Sequence, residues 1–570
     1  MEPCKFYIQH QRIAYFTMEI GLSAEIPTYS GGLGVLAGDT IKSAADLKIP
    51  LVAVTLLYRK GYFRQSFSPE GWQQEADIAW EPEKHMELLP NKAIVTIEQR
   101  DVKIQAWLYL VKSPTGGEVP VLFLDSDIPG NDERDRDLTD HLYGGWQDTR
   151  LKQEIILGIG GARMLRALNF SIKKYHMNEG HASLLTAELL NNARVPLEEP
   201  QQEYNAIGIK RVMEQCVFTT HTPVPAGHDR FPYDMVERIM PPDIPLSILK
   251  EFSGQDELNM TMLAMNLSQY INGVAKRHGE VSQDLFPGFV IHAITNGIHP
   301  FTWCSPFFVN LFDKYLPGWA NEPELLVRVE SIPDQEIWDA HCGAKAFFFQ
   351  YVKEKTGVTL DPDILTIGFA RRAATYKRGD LILSDIPRLL ELGAGKLQLV
   401  FGGKAHPRDD GGKQVIQRII SQARELQGKI TLVYLENYNM ETASQFIPGV
   451  DLWLNNPMRP LEASGTSGMK AALNGVPNFS VLDGWWIEGH IEGVTGWAIG
   501  PPPAEVEEVT NRVSEDLDDM YAKLENVIIP LYYDRRDEWI RVMKNAIGKN
   551  AYYFNTHVMM RRYVTEAYIH

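Results

Sequence analysis

Apolar runs and a glycine-rich turn alternate near the start of the chain. Residues 13–18 and residues 51–57 are apolar runs that predict two buried strands. Between them, the sequence SGGLG at residues 30–34 leads into an amphipathic pattern that predicts a helix to about residue 47. This order is a βαβ unit with glycines at the strand-to-helix turn. Such a turn can bring backbone N–H groups, here those of Gly31 and Gly32, against a phosphate.

The pattern becomes more regular in the C-terminal half, from about Asp361. Short apolar runs that predict strands recur at residues 365–369, 397–401, 430–434, 450–454 and 479–482. Helical stretches such as residues 381–392 and 415–426 lie between them. Strands that alternate with helices predict a parallel, doubly wound α/β sheet.

A glycine cluster in the first half invites a dinucleotide-binding interpretation. Gly158, Gly160 and Gly161 lie inside a helical pattern, residues 151–168, and no strand precedes them. We therefore expect these glycines to permit close helix packing and not to bind a dinucleotide.

Length and charge narrow the class of protein. The chain has 570 residues, which exceeds the usual size of one core and predicts two large domains. Its formal net charge of −17 argues against nucleic-acid binding, which needs a basic face. An acidic surface suits a neutral substrate, with positive charge kept for local anion sites.

Cysteines and apolar runs bear on the compartment. The four cysteines have no metal-ligand spacing and form no dense disulfide framework, so we expect reduced thiols and a cytoplasmic protein. Residues 1–5 lack a basic start followed by an apolar core, so we expect no signal peptide. No run of 18 apolar residues occurs, so we expect no membrane span. Residues 501–503 are prolines and, with the acidic stretch that follows, predict a surface linker.

Residues 461–475 contain the most informative lysine of the chain. A small, hydroxyl-rich loop precedes good helix formers at residues 469–473, which predicts a helix N-terminus near Gly465 to Gly468. Such a place suits a phosphate, and Lys470 would lie beside it. A lysine there can form an imine with pyridoxal phosphate. In the alternative interpretation Ser464 or Thr466 only caps the helix and Lys470 is a solvated surface lysine.

A run of cations follows the first predicted strand of the C-terminal half. Arg371, Arg372, Lys377 and Arg378 lie just past residues 365–369, at the end of a parallel sheet where ligands bind. Arginine and lysine there can bind a dianion through charge-assisted hydrogen bonds. The alternative is a solvated charge run.

Polar residues also follow predicted strands of the N-terminal half. His221 follows residues 217–220, and Asn296 follows residues 290–294. Either position suits a ligand contact, although a lone histidine can be structural and an Asn-Gly pair can be only a turn. The histidines and the acidic residue of segment 176–181 lack the spacing of a zinc helix, and Asn178 can cap the next helix, so no metal is predicted.

Several segments together resemble the α-glucan phosphorylases, the family of glycogen, starch and maltodextrin phosphorylase. The sequence EASGTSGMK at residues 462–470, followed by LNG at 473–475 and LDG at 482–484, is similar to the pyridoxal-phosphate lysine segment of that family. The Gly31–Gly32 turn, the His221 segment, the Asn296 segment and the cation run resemble other family segments. The chain departs from the family pattern at Ser467-Gly468, at Ala374-Thr375 and at Trp485-Trp486.

The resemblance implies a fold and a division into domains. It implies the GT-B fold, in which two Rossmann-like α/β domains face a central cleft. Residues 1–298 would form the N-terminal glucan- and phosphate-binding domain, and residues 299–545 the C-terminal cofactor domain. The last helical stretch, residues 539–568, falls largely in the third segment, 546–570, which would pack back toward the N-terminal domain.

The resemblance also implies a reaction and a role for each candidate residue. The reaction is retaining phosphorolysis of an α-1,4-glucan, which gives a shortened glucan and α-D-glucose 1-phosphate. The cofactor would be pyridoxal 5′-phosphate, linked to Lys470 as an imine, with its phosphate as a proton relay. The implied catalytic residues are Lys470, Arg372, Lys377 and His221. The implied cofactor contacts are Lys470, Thr466, Ser467, Gly468 and Tyr438. The implied substrate contacts are Gly31, Gly32, Glu462, Ser464, Gly465, Asn296, His221 and Arg371.

Two other functions remain open on the residues alone. A glucan synthase of the same fold would use a nucleotide sugar, although its glycine loop carries a lysine where this chain has Tyr29. A non-catalytic glucan-binding protein is the third possibility. The resemblance further implies a homodimer, no nucleic-acid or membrane partner, and no phosphorylation or nucleotide switch.

Overall fold

The computed structural model describes residues 10–193, 206–224, 227–503 and 513–569. The residues examined for a signal peptide, which include Cys4, and the acidic stretch after Pro503 lie outside these ranges.

Two large sheets organise the described residues. The strands of the first are β1 (Ile13–Thr17), β2 (Leu51–Leu56), β5 (Glu87–Ile97), β6 (Arg100–Lys112), β7 (Glu118–Asp125), β8 (Lys174–Asn178), β9 (Cys216–Thr219), β12 (Tyr270–Gly273) and β13 (His292–Ala293). Their order is β13-β12-β9-β8-β1-β2-β7-β6-β5, and the pairs are parallel except for β5 with β6 and β6 with β7. Two small hairpins pair β3 (Arg64–Phe67) with β4 (Gln73–Ala76) and β10 (Arg230–Pro232) with β11 (Glu257–Asn259).

The second sheet is parallel throughout. Its strands are β14 (Leu365–Ala370), β15 (Leu397–Gly402), β16 (Thr431–Leu435), β17 (Leu452–Asn455), β18 (Asn478–Val481) and β19 (Gly496–Ile499). Their order is β16-β15-β14-β17-β18-β19. Two doubly wound sheets confirm the predicted α/β fold class, whereas the domain boundaries at residues 298 and 545 stay a prediction.

Helices cover both sheets. Those of the first half are Gly32–Asp46, Glu133–Arg136, Gln147–Ile155, Gly161–Ala167, Leu184–Asn192, Ala206–Gln215, Tyr233–Ile239, Leu246–Ser253, Met260–Asn266 and Lys276–Leu285. Those that follow are Pro300–Trp303, Pro306–Tyr315, Asp334–Thr356, Ile386–Gly393, Asp410–Glu425, Met440–Phe446, Ser467–Leu473, Trp486–Gly489, Val513–Lys523, Ile529–Asp534, Arg536–Asn545 and Thr556–Tyr563. We call Gly32–Asp46 the glycine helix and Ser467–Leu473 the lysine helix. No helix of the described residues is long and apolar enough to cross a membrane.

Strand β1 shows how the first sheet is buried on both faces. Ala14 and Phe16 belong to the core on one face, and Ile13 and Tyr15 to the core on the other. All four side chains are buried, because successive residues of a strand point to opposite faces and helices cover each face.

The glycine cluster at residues 158–161 lies within a helical segment, as predicted, with a π-helical turn at Ile156–Gly160. A Cβ on Gly158 would lie 2.7 Å from the Leu185 nitrogen, and one on Gly160 would lie 2.5 Å from Ile104. The glycines therefore permit close packing against a neighbouring helix and the first sheet.

The predicted helices 381–392 and 539–568 are both interrupted. In the first, a 3-10 turn, Leu381–Leu383, ends before Asp385, which caps the following helix by accepting a hydrogen bond from the Arg388 nitrogen at 3.1 Å. In the second, the chain leaves the helix after Ala551, and Asn555 caps the next helix by accepting from the Val558 nitrogen at 3.0 Å. Both predictions of one continuous helix are wrong because a capping side chain starts a new one.

The chain crosses between the two sheets twice, and the two crossings touch. Ile298 and Asn555 form a β-bridge, and the Thr556 nitrogen donates to the Ile298 oxygen at 2.9 Å. A Cβ on Gly297 would lie 2.2 Å from the Asn555 carbonyl carbon, so only glycine permits this approach. After the second crossing the chain packs on the first sheet, where the Tyr568 hydroxyl lies 2.7 Å from His176 Nδ1.

Asp46 ties both crossings to the glycine helix. Its Oδ2 accepts hydrogen bonds from His299 Nε2 at 2.8 Å and His557 Nε2 at 2.9 Å, and its Oδ1 accepts from the Ser113 hydroxyl at 2.5 Å. Burial acts to raise the pKa of Asp46, but the hydrogen bonds from the two imidazoles hold it well below its usual range. These three hydrogen bonds satisfy the carboxylate.

Candidate active site

A cleft of about 860 Å³ lies between the two sheets and contains nearly all the predicted site residues. The predicted residues that line it are Gly31, Gly32, His221, Asn296, Arg371, Arg372, Lys377, Tyr438, Glu462, Ser464, Gly465, Thr466, Ser467 and Lys470. Gly468 lies behind the lining, where a Cβ would be 2.3 Å from Asn478 Oδ1. Segments distant in sequence thus meet at the carboxyl ends of the parallel strands of both sheets, where such folds bind ligands.

Lys470 is buried in the cleft wall on the lysine helix. Its side-chain nitrogen lies 3.5 Å from the centroid of the Trp303 ring, and the residue is only 6% exposed. Burial lowers the pKa of Lys470 to about 8, against a smaller opposing effect of Asp39. These features rule out the solvated surface lysine, and a lowered pKa makes the amine a better nucleophile toward a carbonyl.

Glu462 holds two of the predicted cations together. Its Oε2 accepts hydrogen bonds from Lys377 Nζ at 2.6 Å and lies 2.5 Å from Arg371 Nη2. Burial alone would raise the pKa of Glu462, but Arg371 and Lys377 lower it to about 2. Glu462 is therefore ionised at neutral pH, and it forms a fixed ionic group in the cleft with Arg371 and Lys377.

The cation run is divided by the fold. Arg372 lines the cleft, whereas Arg378 turns away to pair with Asp516 at 2.6 Å and to donate to the Asn456 and Pro457 carbonyls. Lys377 and Arg378 are buried and Arg371 is half-buried, whereas Arg372 is exposed, so the run as a whole is not a solvated one.

The glycine turn is held from behind by Glu19, a residue that sequence reasoning missed. Glu19 Oε2 accepts from the Ser30 nitrogen at 2.6 Å and from the Gly31 nitrogen at 3.2 Å, and its Oε1 accepts from the Tyr143 hydroxyl at 2.9 Å. A Cβ at Gly31 or Gly32 would meet no described atom within 4 Å, so both glycines border open space in the cleft. The Gly31 N–H is already engaged by Glu19.

His221 belongs to a polar network at the carboxyl end of β9. Its Nε2 lies 2.6 Å from Asn178 Oδ1, and its backbone nitrogen donates to Glu179 Oε2 at 2.8 Å. Burial lowers the pKa of His221 to about 3. The imidazole is therefore neutral at physiological pH and can exchange hydrogen bonds with a ligand without carrying charge.

Five cleft side chains have buried polar atoms that find no hydrogen-bond partner within the described ranges: Asn296 Oδ1, Ser464 Oγ, Arg371 Nη1, Arg150 Nη1 and His181 Nδ1. Such groups are rare because each costs about 1–3 kcal/mol when left unpaired. Their position in one cleft points to a polar ligand.

Two acidic side chains meet at the cleft wall: Asp229 lines the cleft, and Glu154 is buried next to it. Arg150 bridges them, with its Nε 3.0 Å from Glu154 Oε1 and its Nη2 3.0 Å from Asp229 Oδ2. Burial raises the pKa of Glu154 far above its usual range, and Arg150 opposes burial to lower that of Asp229. Arg150 therefore links two carboxyl groups whose pKa values are shifted in opposite directions. Only the i, i+4 spacing of Arg150 and Glu154 was readable from sequence.

The site also has the features that a pyridoxal cofactor needs. Lys470 offers a buried amine with a lowered pKa, and the cations Arg371, Arg372 and Lys377 lie in the same cleft for phosphate groups. The residues present therefore fit that group.

Two doubly wound domains around a polar, cationic cleft define an α/β enzyme of the glycosyltransferase type. The family model for carbohydrate phosphorylase matches residues 243–528. The chain belongs to the carbohydrate phosphorylase family, a family of enzymes.

The chain is similar to curated relatives over almost its whole length. It is 41% identical to maltodextrin phosphorylase of Thermococcus litoralis and 37% identical to glycogen phosphorylase of Mycobacterium tuberculosis, covering 98% of this chain and 70% of each relative. It is 34% identical to glycogen phosphorylase of Aquifex aeolicus, covering 98% of this chain and 86% of the relative. The predicted family is confirmed.

Proposed function

We propose that this protein is a retaining α-1,4-glucan phosphorylase that converts glucan and inorganic phosphate into a shortened glucan and α-D-glucose 1-phosphate. The single observation that carries the proposal is the buried Lys470 amine facing a cleft that also holds Arg371, Arg372 and Lys377. The printed names of the relatives, maltodextrin and glycogen phosphorylase, support the same reaction and do not favour a nucleotide-sugar synthase.

Phosphate binding is the task of the cations. Arg372 and Lys377 hold the anion in the cleft, where charge-assisted hydrogen bonds are stronger than neutral ones. Glu462 fixes Arg371 and Lys377 relative to one another, so their charges are preorganised before substrate arrives. The turn at Gly31 and Gly32 lets substrate approach the backbone closely.

The sugar is bound by uncharged and anionic acceptors. Asn296 Oδ1 and Ser464 Oγ are unpaired within the described chain and can bond glucosyl hydroxyls, and ionised Glu462 can accept from another. His221, neutral because of its lowered pKa, orients a hydroxyl and does not act as an acid near pH 7.

Pyridoxal 5′-phosphate is the proposed cofactor, linked to Lys470 and surrounded by Thr466, Ser467, Gly468 and Tyr438. When bound, it supplies a phosphate group that can exchange a proton with the substrate phosphate. The chain's own contribution is to keep Lys470 buried and to keep water away from the reacting groups.

The first experiment is borohydride reduction of the purified protein followed by peptide mass mapping. A pyridoxyl-phosphate adduct on Lys470 is expected. Lys404 is the internal control, because it also lines the cleft and burial lowers its pKa to about 8. An adduct on Lys404, or none on either lysine after supply of cofactor, would contradict the assignment.

The second experiment measures glucose 1-phosphate released from maltodextrin. We expect release to require inorganic phosphate and to be lost in Lys470→Ala. Release of glucosyl products only with a nucleotide sugar would favour the synthase, and glucan binding with no turnover would favour a binding protein.

The proposal includes a homodimer and a cytoplasmic location. The dimer follows from the family resemblance, and the location follows from the cysteine pattern; Cys216, Cys304 and Cys342 are free thiols, which suits a reducing compartment. Light scattering coupled to gel filtration tests the dimer, and fractionation of cells tests the location.

A further inference from the structure

A buried carboxylate lies behind the Lys470 site. Asp39 is on the glycine helix and is 1% exposed. Its Oδ2 accepts a hydrogen bond from the indole nitrogen of Trp303 at 2.7 Å, but its Oδ1 finds no hydrogen-bond partner in the described part of the chain. A buried carboxylate oxygen without a donor is costly unless a ligand supplies one or a positive charge lies nearby.

Trp303 connects Asp39 to Lys470. Its ring nitrogen contacts Asp39, and its ring face carries the Lys470 nitrogen at 3.5 Å from the centroid. Asn474 fixes this stack, because its side-chain nitrogen donates to the carbonyl oxygens of both Trp303, at 2.8 Å, and Lys470, at 2.9 Å. The Asp39 carboxylate, the Trp303 indole and the Lys470 amine are therefore held in fixed positions relative to one another.

A second charge on the glycine helix acts in the opposite sense. Lys42 follows Asp39 by one turn, is half-buried, and donates to the Thr302 hydroxyl at 3.2 Å. Burial lowers the pKa of Lys470, Asp39 raises it and Lys42 lowers it further. Asp39 and Lys42 are thus the charged groups that act on Lys470, both from the helix packed against it.

We propose that Asp39 is a positioning residue for the cofactor, whose carboxylate stabilises positive charge on the Lys470 nitrogen after the cofactor is attached. The inference rests on the proposed function, since it assumes pyridoxal phosphate at Lys470. An Asp near a pyridoxal group is a recognised way for a protein to tune its electronics. Here the Trp303 indole links that negative charge to the Lys470 nitrogen, because it donates to Asp39 and its face carries the amine.

A purely structural role of Asp39 would have different measurable effects. If Asp39 only anchored the Trp303 indole, replacing it would lower stability without altering the protonation of the imine. Absorption spectra separate the two roles, because the protonated and unprotonated imines absorb at different wavelengths, independently of catalytic turnover.

The test is a pH titration of the absorption spectrum of the holoenzyme and of two variants. In Asp39→Asn the imine is expected to lose its proton at a pH lower by about one unit or more, since one unit corresponds to a tenfold change in the equilibrium. In Lys42→Met the same transition is expected to move to higher pH, because a positive charge is removed. Each variant changes one charge on the same helix, so their opposite signs control for general disturbance.

An unchanged transition in Asp39→Asn, or shifts of the same sign in both variants, would overturn the inference. If Asp39→Asn does not fold, the rise expected in Lys42→Met still tests whether this helix sets the charge at Lys470, and no rise refutes it. Wild-type protein without an adduct on Lys470 would instead refute the proposed function, so the two failures are distinguishable.

Discussion

At the scale of single residues, burial decides the chemistry of Lys470. A lysine on the protein surface keeps its ammonium charged, whereas burial against Trp303 lowers the pKa of Lys470 from its ordinary value of 10.5 to about 8. The sequence places Lys470 after a hydroxyl-rich loop, but the burial of its side chain could not be predicted from the neighbouring residues.

This lowered pKa predicts the pH dependence of stability in the cofactor-free protein. Below pH 8 the buried ammonium is a cost to the folded state, of about 3 kcal/mol, and the cost fades as pH rises from about 8 to 10.5. We expect Lys470→Met to raise the free energy of unfolding at pH 7 and to give no gain near pH 10.5. Urea unfolding of both cofactor-free proteins across this range measures the difference; a gain independent of pH would contradict it.

Glu462 allows a second prediction. Glu462→Gln removes the charge that Arg371 and Lys377 share, which leaves two buried cations unpaired. Breaking such a buried group costs about 3–5 kcal/mol, so we expect a comparable loss of unfolding free energy and a large fall in kcat/KM for phosphate. Exposed Glu436→Gln is the matched control and is expected to behave as wild type.

Residue reasoning found the cleft side chains near recognisable segments and missed those that depend on distant partners. Lys470, Arg372 and Asn296 follow predicted strands or loops, and all three line the cleft. Glu19 lies in the loop after β1, and Asp39 lies on the glycine helix. The local sequence at either position gives no sign of a ligand contact. Their importance arises only from contacts with Gly31 and Trp303.

At the scale of elements, tertiary contacts decide where helices stop. The apolar runs of the second sheet predict five of its six strands to within two residues, because buried parallel strands are continuous apolar runs, but β19 was not predicted. The break before Thr556 could not be predicted from periodicity. It exists because Asn555 pairs with Ile298 in the other crossing.

The contact between the crossings gives a third prediction. Gly297→Ala would put a Cβ 2.2 Å from the Asn555 carbonyl carbon, so the crossings must separate. We expect a loss of about 1–3 kcal/mol in unfolding free energy, typical of overpacking. In helix Asp410–Glu425, Gly411→Ala is the control; its nearest contact would be an ordinary 3.5 Å, and we expect unchanged or slightly higher stability. Equal effects of the two substitutions would refute the argument.

At the scale of the whole molecule, the hairpin of β3 and β4 bridges the cleft. Gln65 Nε2 donates to the Gly403 oxygen at 2.9 Å, and Gln73 both donates to the Ala405 oxygen and accepts from its nitrogen, each at 2.9 Å. Gln65 on β3 and Gln73 on β4 thus join the first half of the chain to the second sheet. Sequence alone indicated two domains but not this connection, since glutamine is common on surfaces.

This bridge gives a fourth prediction. Gln73→Ala removes both hydrogen bonds to Ala405, each contributing about 1 kcal/mol, and should let the two halves separate more easily. We expect a larger radius of gyration by small-angle X-ray scattering and a higher KM for glucan. The exposed neighbour Gln74→Ala is the control, and a radius unchanged in Gln73→Ala would show that the hairpin does not hold the cleft closed.

The glycine helix has a mechanical consequence. It is 15 residues long, about 22 Å, with the turn of Gly31 and Gly32 at one end and Asp46 at the other. Asp46 accepts hydrogen bonds from His299 and His557, one in each crossing, so the helix connects the two crossings to the turn of Gly31 and Gly32. A small rotation of one half of the molecule about the crossings would be transmitted along the glycine helix. The turn of Gly31 and Gly32, which borders the cleft, would therefore move as the angle between the two halves changes.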